Sequence, residues 1–213
     1  MADNDAPGLR ERKKLATRAA ISDAALRLAI AHGFDNVLVE DIAAAANVSP
    51  RTFNNYFSSK QEAIVSRALD RARRAADVLR ERPAGEPLWE ALTDAVIAPY
   101  EGAAMPDLDR LAGIRLLMDT PALRAELTRV FTGSQRELAA AIAERTGLDA
   151  ERDLYPALVA GVATAAEGVA MERWLRADPP IAIDRELRDA LGQVAAGLPV
   201  PAPRRTKGTH RDH

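Results

Sequence analysis

Residues 47–57 read NVSPRTFNNYF. Asn47 and Val48 suit a tight turn. Ser49 suits a helix N-cap, and Pro50 suits the first helical position, where no N–H is needed. The spacing predicts a short helix over 50–57. Phe53 and Phe57 lie one helical turn apart, so they share a face and anchor it inward. Arg51, Thr52, Asn54, Asn55 and Tyr56 then fall on the outer faces. From Ile42 to Gln61 there are two bases, Arg51 and Lys60, and no acid. A helix laid against phosphates needs that absence, because an acid there would sit in a strongly negative field. Arginine pairs bidentately with guanine and asparagine with adenine. Threonine and tyrosine hydroxyls suit a phosphate or a thymine edge. A Ser-Pro start alone would favour an ordinary capped helix with its polar residues turned to water. The acid-free span, the paired aromatics and a basic helix upstream together favour DNA.

Working outward, a first helix is predicted over residues 9–31. Ile21, Ala24, Ala25 and Leu28 recur at helical spacing and give it one inward face. It holds six basic residues, Arg10, Arg12, Lys13, Lys14, Arg18 and Arg27, against Glu11 and Asp23. Arg12 and Lys13 are candidate phosphate contacts. Gly33 ends this helix and can adopt a left-handed cap. A short helix follows over 39–46. With the helix at 50–57 it forms a helix-turn-helix, whose second helix can lie in the DNA major groove. A longer helix is expected over 59–80.

Helical segments continue near 87–101, 107–119, 121–146, 151–177 and 184–196, punctuated by Pro106, Pro121, Gly147 and Pro179-Pro180. Helix formers dominate and no period-two alternation occurs, so the fold class is all-α. The expected organisation is a disordered arm at 1–8, a DNA-binding domain at 9–58, a connecting helix at 59–82, a helical ligand-binding and dimerisation domain at 83–197, and a disordered tail at 198–213.

Over 213 residues, 47% are hydrophobic and 28% charged, enough for a sizeable core. The net charge of −2 means that a nucleic-acid partner must be met by local charge. There is no cysteine, hence no disulfide and no thiolate metal site. The N-terminus lacks a signal-like apolar stretch, and no uninterrupted run of about 18 apolar residues occurs. The expectation is a cytoplasmic protein without a membrane partner.

In a helical domain a ligand cavity is lined by apolar stripes such as those beyond residue 87. Trp89, Leu92, Val96 and Tyr100 form one helical stripe, Leu111, Ile114, Leu117 and Met118 a second, and Leu127, Val130, Phe131 and Ser134 a third. Such stripes line cavities, although most of their residues simply pack a core. Trp89, Val96, Tyr100, Arg115, Met118, Phe131 and Gln135 are the candidate ligand contacts. Arg115 sits inside the apolar run LAGIRLLMD, where a buried guanidinium would need a partner such as a ligand carboxylate or phosphate, although more often such an arginine reaches the surface or pairs with a protein acid. The segment LYPALVAGVATAAEGVAMERWL is rich in small residues that let helices approach closely. With the helix at 184–196 it could build a four-helix bundle across a two-fold axis. Val162, Ala166, Val169, Trp174, Leu187 and Leu191 are the candidate dimer contacts.

The stretch GFDNVLVEDIAAAANVSPRTFNNYFSSKQEAI, Gly33 to Ile64, resembles the N-terminal domain of the TetR (tetracycline-repressor-like) family of bacterial transcription regulators. The likeness begins near Thr17. The segment IRLLMDTPALRAELTRVF is similar to a subgroup that senses acyl-CoA-like molecules, including regulators near mycofactocin genes. The resemblance implies a homodimer that binds double-stranded DNA at a palindromic operator and leaves it when a small-molecule effector binds, with no cofactor. It places Ser49, Arg51, Thr52, Asn54, Asn55 and Tyr56 on the recognition helix. It puts Lys60 and Thr17 against phosphates. Two departures stand out. Asn54 replaces a common aromatic, and Val37-Leu38 replaces the usual hydroxyl cap of the second helix. Asn36 is the available substitute cap.

Rival readings find little support. No HExxH, GK[ST] phosphate loop or helix-opening GxGxxG is present, and the histidines, His32, His210 and His213, are scattered. No metal site is expected. A helical adaptor that binds a protein instead of DNA is the remaining alternative.

Overall fold

The structure, a computed structural model, describes residues 8–102, 106 and 108–200. The segments expected to be disordered, 1–8 and 198–213, fall outside these apart from Gly8 and residues 198–200. The described residues are helical throughout, without a strand. The helices are α1 (Leu9–His32), α2 (Val39–Ala45), α3 (Pro50–Tyr56), α4 (Lys60–Glu81), α5 (Leu88–Ile97), α6 (Leu108–Met118), α7 (Pro121–Thr146), α8 (Leu154–Arg176) and α9 (Ile183–Ala195). Short 3-10 turns at Phe34–Asn36 and Ala98–Tyr100 were not anticipated.

The helix ends follow local chemistry. Gly33 closes α1 with φ 82° and ψ 147°, a positive-φ conformation open to glycine but more extended than the expected left-handed cap. Leu38, at the N-cap of α2, has no acceptor to offer. Asp41 compensates by reaching back to accept the Leu38 N–H at 3.0 Å. Asn36 does not cap α2; its Nδ2 donates to His32 O at 2.9 Å. Asn47 makes the turn between α2 and α3 at φ 55°, a conformation asparagine tolerates better than most residues. The Val48 N–H then closes on Ala43 O at 2.9 Å.

Two hydrophobic cores form. One gathers Ile21, Ala25, Ile42, Phe53, Phe57 and Ile64 with Leu117, Leu123 and Val130. The other gathers Leu79, Leu92, Val96, Ile142, Leu187 and Leu191 with their neighbours. Helices α4 and α7 run alongside each other, and each contributes to both cores. The first core therefore extends past residue 83, into α6 and the start of α7. At the α1–α6 crossing, a Cβ on Gly113 would lie 2.5 Å from Ile30 Cγ2, so only glycine permits this approach.

Helix α8 is long and apolar enough to cross a membrane by length and composition, with a mean hydropathy of 1.4. It packs between α7 and α9, and buries Val159, Ala160, Ala163 and Ala170 in the second core. That burial accounts for one side of its apolar composition; Leu154, Tyr155, Leu158 and Val169 on another side are exposed.

Candidate nucleic-acid interface and effector region

The Ser49 Oγ accepts the Thr52 N–H at 3.0 Å and lies 2.9 Å from Thr52 Oγ1. It satisfies an N–H that the first turn of α3 leaves without an intrahelical partner. Phe53 and Phe57 are 0% and 1% exposed, with ring centroids 5.9 Å apart. This anchor turns Arg51, Asn54 and Asn55 to solvent, while Thr52 and Tyr56 are half-buried. The acids nearest in sequence on either side face backbone. Asp41 caps α2, and Glu62 accepts both the N–H and the hydroxyl of Ser58 at 2.8 Å. The exposed face of α3 thus presents one guanidinium and two amides without a carboxylate among them.

The expected phosphate contacts fare differently from one another. Arg12 and Lys13 are exposed on the first turns of α1. Thr17 is half-buried, and its hydroxyl donates to Lys13 O at 2.9 Å. To donate to a phosphate it must first leave that bond. Lys60 turns inward. Its Nζ donates to Phe34 O at 2.8 Å and Val37 O at 2.9 Å, and sits 4.4 Å from the Phe34 ring centroid. Two of its three donors are thereby held by the chain. Arg18, counted in the sequence with the basic surface of α1, is also largely internal. Its guanidinium lies 4.5 Å from the Phe57 centroid, Nη1 donates to Tyr56 O at 3.4 Å, and Nε lies 3.7 Å from Asp70 Oδ1. It joins α1, α3 and α4.

The expected effector contacts are not brought together. Val96 is buried in the second core, with Trp89 and Tyr100 packed against it. Met118 packs against the first core. Arg115 and Gln135 are exposed, and Phe131 is 39% exposed. Arg115 therefore needs no buried partner, which removes the reason for assigning it to a ligand. Grooves of about 420 Å³ near the end of α8 and about 410 Å³ between α1, α4 and α7 include none of these residues.

Two residues beyond the sequence candidates converge on Tyr100. Its hydroxyl donates to Glu167 Oε1 at 2.9 Å, and Arg71 Cζ lies 5.0 Å from its ring centroid. Burial pushes the Tyr100 hydroxyl well above its usual range, and the Glu167 carboxylate adds to that. Burial likewise raises the Glu167 carboxyl, against the opposing effects of the Tyr100 hydrogen bond and the Arg71 charge. Sequence held a signal for this: Glu167 is the lone acid in the apolar stretch from Leu154 to Met171.

Among the expected dimer contacts, Leu187 and Leu191 are 0% exposed, and Ala166 and Trp174 are also buried. All four are covered by their own chain and are core residues, which corrects their placement at an interface. The Trp174 indole N–H is buried without an acceptor. Val162 is half-buried and Val169 is 57% exposed. Leu154, Tyr155 and Leu158 are exposed too, and with Val162 and Val169 they run along one side of α8.

Residues 21–65 match the family described as bacterial regulatory proteins, tetR family, and residues 86–199 match the MftR C-terminal domain. The chain is 38% identical over 181 residues to the HTH-type transcriptional regulator TcmR of Streptomyces glaucescens, covering 81% of this chain and 79% of TcmR. The chain belongs to the TetR family. Two solved structures share the regulator's fold. The fatty acid degradation regulator FadR of Bacillus halodurans is 18% identical with a TM-score of 0.56, over 92% of this chain and 98% of FadR. FadR of Thermus thermophilus, in complex with lauroyl-CoA, is 24% identical with a TM-score of 0.51, over 90% of this chain and 100% of FadR.

Proposed function

We propose that this regulator is a cytoplasmic, non-enzymatic repressor that binds a palindromic operator as a homodimer and is released by a small lipophilic or acyl-CoA-like effector. The observation that carries the reading is the exposed face of α3. Arg51, Asn54 and Asn55 project from a helix fixed by two buried aromatics, in a segment without acids. In this reading Arg51 and the two asparagines meet base edges, while Ser49, Thr52 and Tyr56 with Arg12, Lys13 and Thr17 meet phosphates. Asn54, where relatives often carry an aromatic, adds a base contact.

One such helix spans only a few base pairs. Two of them about 34–36 Å apart read a palindrome. The side of α8 bearing Leu154, Tyr155, Leu158, Val162 and Val169 is the proposed contact between subunits. The MftR-like C-terminal domain and the lauroyl-CoA complex of the Thermus thermophilus FadR support a lipophilic effector.

Fluorescence anisotropy on labelled DNA from upstream of the regulator's own gene, beside scrambled DNA at two salt concentrations, tests the reading. Specific binding that weakens with salt and is lost in Arg51→Ala is expected. Binding without sequence preference, also after selection from random DNA, would instead favour the protein-adaptor reading.

A further inference from the structure

The Arg71, Tyr100 and Glu167 side chains come from three elements: α4, the 3-10 turn after α5, and α8. Glu167 is matched, because it accepts the Tyr100 hydroxyl proton. Arg71 is not. Its Nε is buried with no acceptor, and among the described residues no carboxylate forms an ion pair with it. Its main contact is the Tyr100 ring. The Arg71 charge acts on Glu167, but the hydrogen bond of that carboxyl is to Tyr100. The surroundings are apolar: Tyr100 packs on the core formed by Leu92, Val96 and Ala163. Arg71 is half-buried, and its buried Nε–H is unfavourable there unless an acceptor meets it. Arginine is never neutralised by losing its proton, and among the described residues the Arg71 Nε–H has no acceptor, which a ligand carboxylate would supply.

We propose that Arg71, Tyr100 and Glu167 form the effector-recognition site of this regulator, with Arg71 binding the carboxylate of an otherwise apolar ligand. Tyr100 and Glu167 position Arg71 from the two flanking elements. The site rests on the reading of the chain as a ligand-responsive regulator and names its ligand class. Its link to DNA is short. Asp70, the residue before Arg71, approaches Arg18, and Arg18 donates to Tyr56 O on the recognition helix. The same α4 begins at Lys60, which holds Phe34 O and Val37 O. A ligand that draws Arg71 away from Tyr100 moves the helix on which the DNA-reading face is mounted.

Isothermal titration of the full chain with decanoate and 2-naphthoate, beside their methyl esters, tests the site without DNA. At least one acid should bind at least tenfold more tightly than its ester. Arg71→Met should abolish that preference, Arg71→Lys should retain only part of it, and Arg74→Met, at an exposed position of the same helix outside the site, should leave it intact. If Arg71→Met fails to fold, Arg71→Lys against Arg74→Met decides. Equal binding of acid and ester, or binding of neither acid, overturns the proposal. Anisotropy on operator DNA, run in parallel, keeps the two readings separate. Specific DNA binding with no acid bound sinks the site alone, whereas acid binding with no DNA preference sinks the regulator reading alone.

Discussion

Replacing Lys60 with methionine separates a structural lysine from a phosphate-binding one. In the structure the ammonium donates to two backbone carbonyls, Phe34 O and Val37 O, and lies over the Phe34 ring. Hydrogen bonds from a charged donor contribute roughly 1.5–3 kcal/mol each, and an ammonium over a ring about 0.5–1 kcal/mol. Lys60 is only half-buried, and fixing its stem costs up to about 2 kcal/mol of rotamer freedom. These figures span about 1.5–5 kcal/mol, and partial exposure weakens each contribution, so the expected net loss in Lys60→Met lies toward the lower end, roughly 2–3 kcal/mol. For a chain of this size that lowers Tm by about 4–12 °C. Urea and thermal unfolding measure it directly. A phosphate role makes a different prediction. It leaves stability nearly unchanged and reduces the slope of log affinity against log salt by about 0.9 per contact. Lys60→Met with wild-type Tm and a flatter salt slope would refute the structural account.

Three other changes test separate parts of the structure. Gly113→Ala should destabilise by about 1–3 kcal/mol through overpacking against Ile30, despite alanine's better helix propensity, and Ile30→Ala in the same chain should relieve it; urea titration showing a gain in the single variant would contradict the close approach. Leu158→Asp should convert the dimer to a monomer in sedimentation equilibrium, and an unchanged dimer would move the interface off the exposed side of α8. Because the native Glu167 carboxyl is raised, the folded chain keeps a proton that the unfolded chain releases. Its contribution is full below the ordinary carboxylate range and is lost as pH rises through the raised native value. The unfolding free energy of wild type relative to Glu167→Gln should fall as pH climbs from about 4, and a difference that grew with pH would show a carboxylate held down by Arg71 instead.

Helix ends were legible because residues with few conformational options mark them. Gly33, Ser49-Pro50, Ser59, Pro121 and Gly147 each stop or start a helix for a local reason. The inward direction of Phe53 and Phe57 was legible too, since α3 has a polar remainder to contrast with them. That contrast is missing in α8, where nearly every residue is apolar or small. Periodicity could not say which side faced the core, so Ala166 and Trp174 were placed outward and are buried. Arg115 misled in the opposite way: its neighbours are apolar, yet it shares the outer side of α6 with Leu116, which is 73% exposed, while Leu111 and Leu117 are the residues that face the core. Lys60 and Arg18 show a further limit. A basic residue near a DNA-reading helix reads as a phosphate contact until the fold supplies carbonyls and a ring for it. Arg71 lay hidden among the many charges of α4, and only its place over the Tyr100 ring, with Nε buried and no acceptor, distinguishes it.

Gly113 lets α6 rest against α1, and Leu117, Leu123 and Val130 fill the core beneath the DNA-reading helices. The head of this regulator is thus not a detachable cassette. A fragment ending after α4 would expose the underside of its own core. A chimaera that moves this DNA specificity onto another sensor must carry α6 and the first half of α7 along with it, or rebuild the surface they cover. Exchange of such heads between regulators is constrained by this shared floor as much as by the linker joining them.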